Sequence, residues 1–454
     1  MNCLVIDNGA CVDLARILSK NFDKVYYFTE WSQGGFPPID SYYIGRGIPE
    51  ITKIDSLEEA ISSLEIDLFI FTDVYTGQKQ LHLLSLGKIV YGDRLAEDLE
   101  LYRDKSRDLL TNLGLPVNPY EKIIGMSALR EYLKIHDDQW VKINKLRGLT
   151  ETFHSPDYDL IEPFLDTLEQ KLGGRKDDFL FLVEPSFKEE MVEVGLDVQI
   201  VDGKYPDVVM GGIEIKDCGY CCVVRNYRDF PECMTIVTDK LSEAFKDVRG
   251  SFSDEIRINE KHESYMIDFT CRQPFPPSAL QWLMYKNIAE IYLKTAQGQI
   301  CNPEFDDPYG VEIIITSDWA ENNWQPIRIP KSVRENVFLK NYTKKEGRDD
   351  IYYVIPQSFG LKEIGSVVAS GKTIEEAINN VNKICDEIKG IKIHLNTEAL
   401  DKAQMEMDKL DKFGINFFVM ETKYIEPKKD PIPVSIPKKE KKPIRAISIL
   451  TKGL

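Results

Sequence analysis

Ser251-Phe-Ser-Asp-Glu-Ile-Arg-Ile-Asn259 and Ser264-Tyr-Met-Ile-Asp-Phe-Thr-Cys-Arg272 are two alternating segments joined by Glu260-Lys-His-Glu263. Successive side chains of a strand point to opposite faces. On the first segment Glu255, Arg257 and Asn259 therefore share a face, backed by Ile256 and Ile258. On the second, Asp268, Thr270 and Arg272 share a face, backed by Ile267, Phe269 and Cys271. The polar turn predicts an antiparallel hairpin that crowds carboxylates and guanidinium groups on one surface. Carboxylate oxygens are hard ligands suited to Mg2+, which keeps waters and phosphate oxygens in its shell. A guanidinium fork suits phosphate or carboxylate. Cross-strand ion pairs on a solvated sheet would look the same in isolation, so the flanking sequence has to decide.

Upstream, the first hundred residues alternate between strand and helix. Cys3–Ile6, Lys24–Phe28, Ile66–Phe71 and Lys88–Tyr91 read as strands, and Val12–Leu18 and Leu57–Leu64 as helices. Short apolar strands with helical crossovers imply a parallel sheet. Its ligand edge would lie at the carboxyl ends of the strands, at Asp7-Asn8-Gly9 and Thr72-Asp73. Glu97–Leu113 reads as one helix closed by Gly114 and Pro116. Strand Trp140–Ile143, a turn at Arg147–Thr150, a helix over 158–172 and strand Phe179–Val183 follow. The span 194–270 is strand-rich, with a hairpin turn at Asp202-Gly203. Helix Ala279–Thr295 precedes strands over 309–390, which close with helix Ile374–Ile388, and a last helix spans 397–413.

Several short motifs recur in a fixed order around the hairpin. Glu255 stands thirteen residues before Asp268-Phe269-Thr270-Cys271-Arg272. Gly92-Asp93 precedes a helix and then Asp104-Lys105-Ser106, followed by Leu115-Pro116. Trp140-Val141-Lys142-Ile143, Arg147-Gly148-Leu149 and Leu182-Val183-Glu184-Pro185-Ser186-Phe187 come next. Asp202-Gly203, Lys216-Asp217-Cys218-Gly219 and Thr373-Ile-Glu-Glu-Ala377 complete the series. Over residues 1–390 it resembles the ATP-grasp enzymes, and within them the phosphoribosylamine–glycine ligase branch. That branch carries an acidic residue thirteen positions before Glu-Phe-Asn-x-Arg.

The resemblance implies an α/β chain, α+β in its ATP-grasp part. It implies an N-terminal parallel-sheet domain (1–98), an ATP-grasp domain (99–300, divided into 99–185 and 186–300), a C-terminal mixed domain (301–420) and a basic tail (421–454). It implies an ATP-dependent ligase that turns a small carboxylate into an acylphosphate and joins it to a small amine, with ATP and Mg2+ as cofactors. Glu255, Asp268 and Thr270 would hold the metal. Lys105 and Lys142 would reach the phosphates, because two cations from different subdomains stabilise ATP strongly in a closed cleft. Gly148 would close a backbone loop over phosphate without a side-chain clash. Glu184 and Ser186 belong to an extended hinge at the adenine edge, and Glu193 would face the ribose. Arg257 and Arg272 would hold the carboxylate and the tetrahedral intermediate.

The sequence departs from the branch where substrates are chosen. Thr270 replaces the metal-binding Asn, and a hydroxyl is a poorer ligand. Gln273-Pro-Phe-Pro-Pro-Ser278 replaces an acidic Gly-Asp-Pro-Glu-Thr-Gln, and the glycine-rich N-terminal phosphate loop is reduced to Asn8-Gly9-Ala10-Cys11. A ligase acting on another acid and amine is therefore expected ahead of a true phosphoribosylamine–glycine ligase, or of a relative that binds nucleotide without turnover.

Composition bounds the rest. A formal charge of −17 excludes general nucleic-acid binding through the main body. No apolar run is long enough for a membrane helix, and Met-Asn-Cys-Leu-Val-Ile-Asp is not a signal peptide, which predicts a cytoplasmic protein. The nine cysteines are scattered and read as reduced thiols. No histidine or second Cys-x-x-Cys accompanies Cys218 and Cys221, so no zinc site is expected. Residues 421–454 hold nine Lys and Arg, four acids and five prolines, a composition that builds no core. Ile444–Leu450 within it could dock as an edge strand.

Overall fold

In the computed structural model, residues 1–29, 42–145, 152–215, 218–356, 362–397 and 399–418 are described. Gly148, Lys216, Asp217 and the tail with its apolar end lie outside them. Residues Met1–Phe418 form one compact unit.

The N-terminal sheet is wholly parallel, in the order Thr52–Lys53, Lys24–Thr29, Asn2–Asp7, Leu68–Phe71, Ile89–Tyr91. Its strands are apolar on both sides because helices cover them. Leu4, Ile6, Phe28 and Phe69 pack against Leu57 and Ala60 of the helix Leu57–Ser63. The chain direction reverses its spread between Asn2–Asp7 and Leu68–Phe71. Asp7, Asn8 and Asp73 meet at that edge: Asp7 accepts from the Tyr27 hydroxyl at 2.7 Å and the Cys11 amide at 2.8 Å, and Asn8 donates to Asp73.

A small antiparallel sheet follows, in the order Glu121–Ile124, Leu180–Pro185, Gln139–Ile143, Thr152–Ser155. Helices Met126–Leu133 and Tyr158–Leu172 cover one face, where Val141, Ile143 and Phe181 meet Leu129 and Leu165. Period two then forces Trp140 and Lys142 to the opposite face.

The large sheet has nine strands. Ser264–Thr270, Arg249–Asn259, Met191–Val201, Val208–Ile215, Gly219–Asn226, Tyr309–Ser317, Glu363–Gly371 and Val337–Leu339 run in that order, and Ile393–Leu395 also pairs with Tyr309–Ser317. Gly219–Asn226 and Tyr309–Ser317 are hydrogen-bonded neighbours, so this sheet runs across the division expected at residue 300. A further four-stranded sheet, Tyr342–Lys344, Ile351–Val354, Gln325–Arg328, Lys389–Gly390, stands beside it. Arg249 accepts through its carbonyl from the Gly92 amide at 2.9 Å, which ties the large sheet to the parallel one.

Two helices expected to be continuous are broken. Glu97–Leu101 and Arg103–Asn112 are separated at Tyr102, whose ψ of 82° leaves the helical region. The Arg103 amide freed there donates to Asn144 Oδ1 at 3.0 Å, at the end of the Lys142 strand. Likewise Ser278–Met284 and Ile288–Ala296 are separated at Tyr285, and the Lys286 amide bonds to Glu304. In both cases a tertiary acceptor replaces an intrahelical one, which local sequence does not announce.

Candidate active site

The hairpin read from sequence is present. Glu255 and Asp268 lie directly opposite each other, and so do Ser253 and Thr270. Between Glu255 and Ile256 the register shifts, because Ile256 pairs with Met266 and Ile267 is left over. Such a bulge takes one residue out of the ladder. The Ile267 carbonyl is thereby released, and it accepts from Lys142 Nζ at 2.8 Å and Arg107 Nη2 at 2.7 Å.

Lys142 is buried in its strand and reaches from the small sheet to the large one. Its ammonium lies 3.1 Å from Asp268 and 3.9 Å from Glu184. Arg107 forks onto Glu184 at 2.5 and 3.2 Å, and Arg103 stands 3.7 Å from Asp268. Burial alone would raise the Asp268 carboxyl, but Lys142, Arg103 and Arg107 outweigh it and hold it at about 2. Lys142, Glu184 and Asp268 thus converge.

The neighbouring part of the same sheet face is acidic. A narrow cavity of about 40 Å³ is lined by Glu193, Glu214, Glu255, Thr270 and Arg272, among others. Arg257 pairs with Glu193 at 2.9 Å. Burial, then the charges of Glu255 and Glu193, push the Glu214 carboxyl well up. Arg272 is held by Glu100 at 2.9 Å and lies 3.8 Å from Asp73 at the edge of the parallel sheet. Glu100 also accepts from the Cys271 amide at 2.8 Å.

Other expected residues stand apart. Lys105 lies on the outer face of its helix, 3.1 Å from Asp98 and 3.9 Å from the Tyr102 ring. Ser186 donates to Asp138 at 2.6 Å, next to His154, whose ring stacks on Trp140.

Arg103, Arg107, Glu100 and Glu214 were not singled out from the sequence, although signals for three of them existed. Arg103, Ser106, Arg107 and Leu110 follow i, i+3, i+4, i+7, and all four are buried. Two arginines in a buried helical stripe need partners. Glu214 interrupts the apolar run Val208–Ile215 as Lys142 interrupts its own strand.

Among the described residues no group of three or more His, Cys, Asp or Glu side chains is already arranged to hold a metal ion. The donor chemistry nevertheless fits Mg2+ carried on a nucleotide, which needs only one or two carboxylates because phosphates and waters complete its shell. Glu255 and Asp268 face each other across the strands, and the crowding of Glu193, Glu214 and Glu255 is charge a cation would relieve. The buried cations opposite suit phosphate oxygens. All nine cysteines are free and buried, and among the described residues no helix is long and apolar enough to cross a membrane.

No sequence-family description matches this chain, and no curated protein matches it by sequence. Solved structures do match. Phosphoribosylamine–glycine ligase from Thermotoga maritima superposes with a TM-score of 0.63 at 11% identity, covering 87% of this chain and all of that one. The biotin carboxylase domain of Hydrogenobacter thermophilus 2-oxoglutarate carboxylase, solved with MgADP, ADP and bicarbonate, gives 0.65 at 10%, covering 92% and 98%. Biotin carboxylase from Campylobacter jejuni, solved as a β-γ-ATP complex, gives 0.63 at 16%, covering 89% and 95%. All three are ATP-grasp enzymes. With a parallel N-terminal sheet, a small antiparallel sheet and a large one bearing the Glu255–Asp268 hairpin, this chain has the ATP-grasp fold and resembles phosphoribosylamine–glycine ligase in it.

Proposed function

We propose that this protein is a cytoplasmic ATP-dependent carboxylate–amine ligase working through an acylphosphate on a small acid and a small amine. The observation that carries the reading is Lys142, a buried ammonium reaching from the small sheet onto Asp268 and the Ile267 carbonyl of the large one. A buried cation held between two sheets is placed to meet a polyanion entering between them. The β-γ-ATP and MgADP complexes of the two biotin carboxylases support a nucleotide as the ligand of this fold. The free, buried thiols support a reducing compartment.

In this reading Lys142, Arg103 and Arg107 neutralise phosphate charge, in place of Lys105, which stays on the outer face of its helix beside Asp98. The Glu184–Ser186 stretch offers backbone groups to the adenine, and Glu193 faces the ribose. Glu255, Asp268 and Thr270 would hold Mg2+, which when bound offsets charge on the phosphates as the terminal phosphoryl leaves. Arg272, braced by Glu100, orients the substrate carboxylate, and Arg257 the developing oxyanion. The altered Gln273–Ser278 and Asn8–Cys11 segments favour substrates other than glycine and phosphoribosylamine.

A second reading, nucleotide binding without turnover, is favoured by one feature. Asp268 already carries Lys142 at 3.1 Å and Arg103 at 3.7 Å, a cation complement that competes with a metal.

The test is melting temperature with and without Mg-ATP, in the wild type and in Glu255→Gln. Glu255 contributes to the like-charge crowding on Glu214, so its neutralisation should leave the fold intact. A rise of several degrees in the wild type that shrinks in the variant supports the ligase reading. ATP hydrolysis stimulated by carboxylate and amine mixtures then separates it from binding alone. No rise at millimolar Mg-ATP would refute both readings.

A further inference from the structure

A second cavity on the large sheet lies beside the narrow one lined by Glu255, Thr270 and Arg272. The helix Ala399–Lys412 lies over strands Met191–Val201 and Val208–Ile215 and encloses about 330 Å³ against them. That volume falls within the range of small-molecule pockets, roughly 300–1,000 Å³. Its charges are mixed in sign. Arg257 is taken up by Glu193, and Lys409 by Glu406 at 2.7 Å. One carboxyl and one ammonium remain: among the described residues neither Glu214 nor Lys402 stands in an ion pair, and the Lys402 ammonium reaches the Cys218 sulfur at 4.0 Å. Met191, Ile215 and Met405 supply an apolar wall. Glu214 also lines the narrow cavity that holds Glu255, Thr270 and Arg272, so the two spaces share it.

We propose that this cavity binds an α-amino acid with a large apolar side chain. Its carboxylate would meet Lys402, its ammonium Glu214, and its side chain the methionine-lined wall. One cation, one anion and an apolar surface are what a zwitterion with a hydrocarbon side chain requires. A single-charge ligand forfeits one of the two charge-assisted contacts, and one without the ammonium also leaves the half-buried Glu214 unpaired. The room is far more than glycine fills. An ammonium at Glu214 would also relieve the repulsion among Glu193, Glu214 and Glu255.

Resting on the ligase reading, this amino acid is the amine substrate. Its ammonium gives a proton to Glu214. The freed nitrogen forms the C–N bond to the acyl carbon, the C–O bond to phosphate breaks, and phosphate leaves with the bonding pair and takes up the second proton that the nitrogen sheds on becoming an amide.

The experiment is equilibrium binding of L-leucine to the full chain without nucleotide, with glycine, N-acetyl-L-leucine and 3-methylbutylamine as comparisons. Leucine should bind saturably. Glycine should bind more weakly, and each single-charge analogue more than about tenfold more weakly. Lys402→Met and Glu214→Gln should each weaken leucine by a similar factor, and Lys402→Met should leave the Mg-ATP melting shift unchanged. Lys402 is exposed on its helix and the glutamine is isosteric, so both variants should fold. Leucine failing to bind, or binding unaffected by either change, overturns the proposal. Loss of the Mg-ATP shift in Lys402→Met also overturns it, because the cavity would then hold nucleotide. Leucine binding with no Mg-ATP shift in the wild type upholds the amino-acid site and refutes the ligase reading instead.

Discussion

Asp197 shows how one buried carboxyl on the cleft face couples to pH. It accepts from the Tyr220 hydroxyl at 2.8 Å and is almost fully buried. Burial pushes its carboxyl from 3.8 to about 7. Between those values the unfolded chain ionises while the native one keeps its proton. The native state binds more protons, so stability falls as pH rises. The contribution is complete below pH ~4, is lost across the window up to pH ~7, and stays lost above it. Asp197→Asn keeps an acceptor for Tyr220 and cannot ionise. Chemical denaturation from pH 4 to 8 should show the wild type losing roughly 2–4 kcal/mol relative to the variant by pH 7. Parallel curves would mean that Asp197 is ionised in the native state.

At the scale of elements, the Asp202-Gly203 turn was legible because few dipeptides accept two left-handed positions. Both residues have positive φ, 51° and 79°. Packing adds a second constraint at Gly203. A Cβ there would sit 2.3 Å from the Ser242 carbonyl oxygen, whereas at Gly87, with φ of 73°, it would meet nothing within 4 Å. Gly87→Ala should cost about 1 kcal/mol, the price of the left-handed backbone alone. Gly203→Ala should cost at least about 1 kcal/mol more, since backbone must move. Urea unfolding of the two variants checks this, and equal costs would show that the Ser242 contact yields freely. The bulge at Ile267 is the opposite case. Alternation placed Asp268 and Thr270 correctly on one face, but the extra residue that turns the Ile267 carbonyl toward Lys142 and Arg107 leaves no mark on the pattern.

Across the whole molecule, the first helix is locked to the C-terminal half by a buried ion cluster. Asp13 accepts from Arg16 at 2.7 Å, Arg334 at 2.6 Å, Tyr342 at 3.0 Å and the Leu339 amide at 2.8 Å. Burial alone would raise its carboxyl, but Arg334 and Arg16 outweigh that and lower it. Asp13→Ala would leave two buried guanidinium groups without their shared anion and should cost roughly 3–5 kcal/mol in guanidinium unfolding. A loss below about 1 kcal/mol would mean that water or Glu335 replaces it. Nothing in the sequence pairs position 13 with position 334. The contact exists only because the parallel sheet and the large sheet share one compact unit.

The sequence alone determined what depends on near neighbours. Short apolar runs between helices set the parallel strands, period two set the faces of the Glu255–Asp268 hairpin, and local turn chemistry set Asp202-Gly203. The ordered motifs were enough to indicate the ATP-grasp fold. The tertiary structure decided which charges meet. Arg103 and Arg107, rather than Lys105, turn inward, because the helix breaks at Tyr102 where Asn144 captures the Arg103 amide. Glu214 enters the site because its strand lies beside Met191–Val201, and the last helix encloses a cavity over both. Pairing between residues far apart in the chain follows from how the sheets stack, and no local period encodes that.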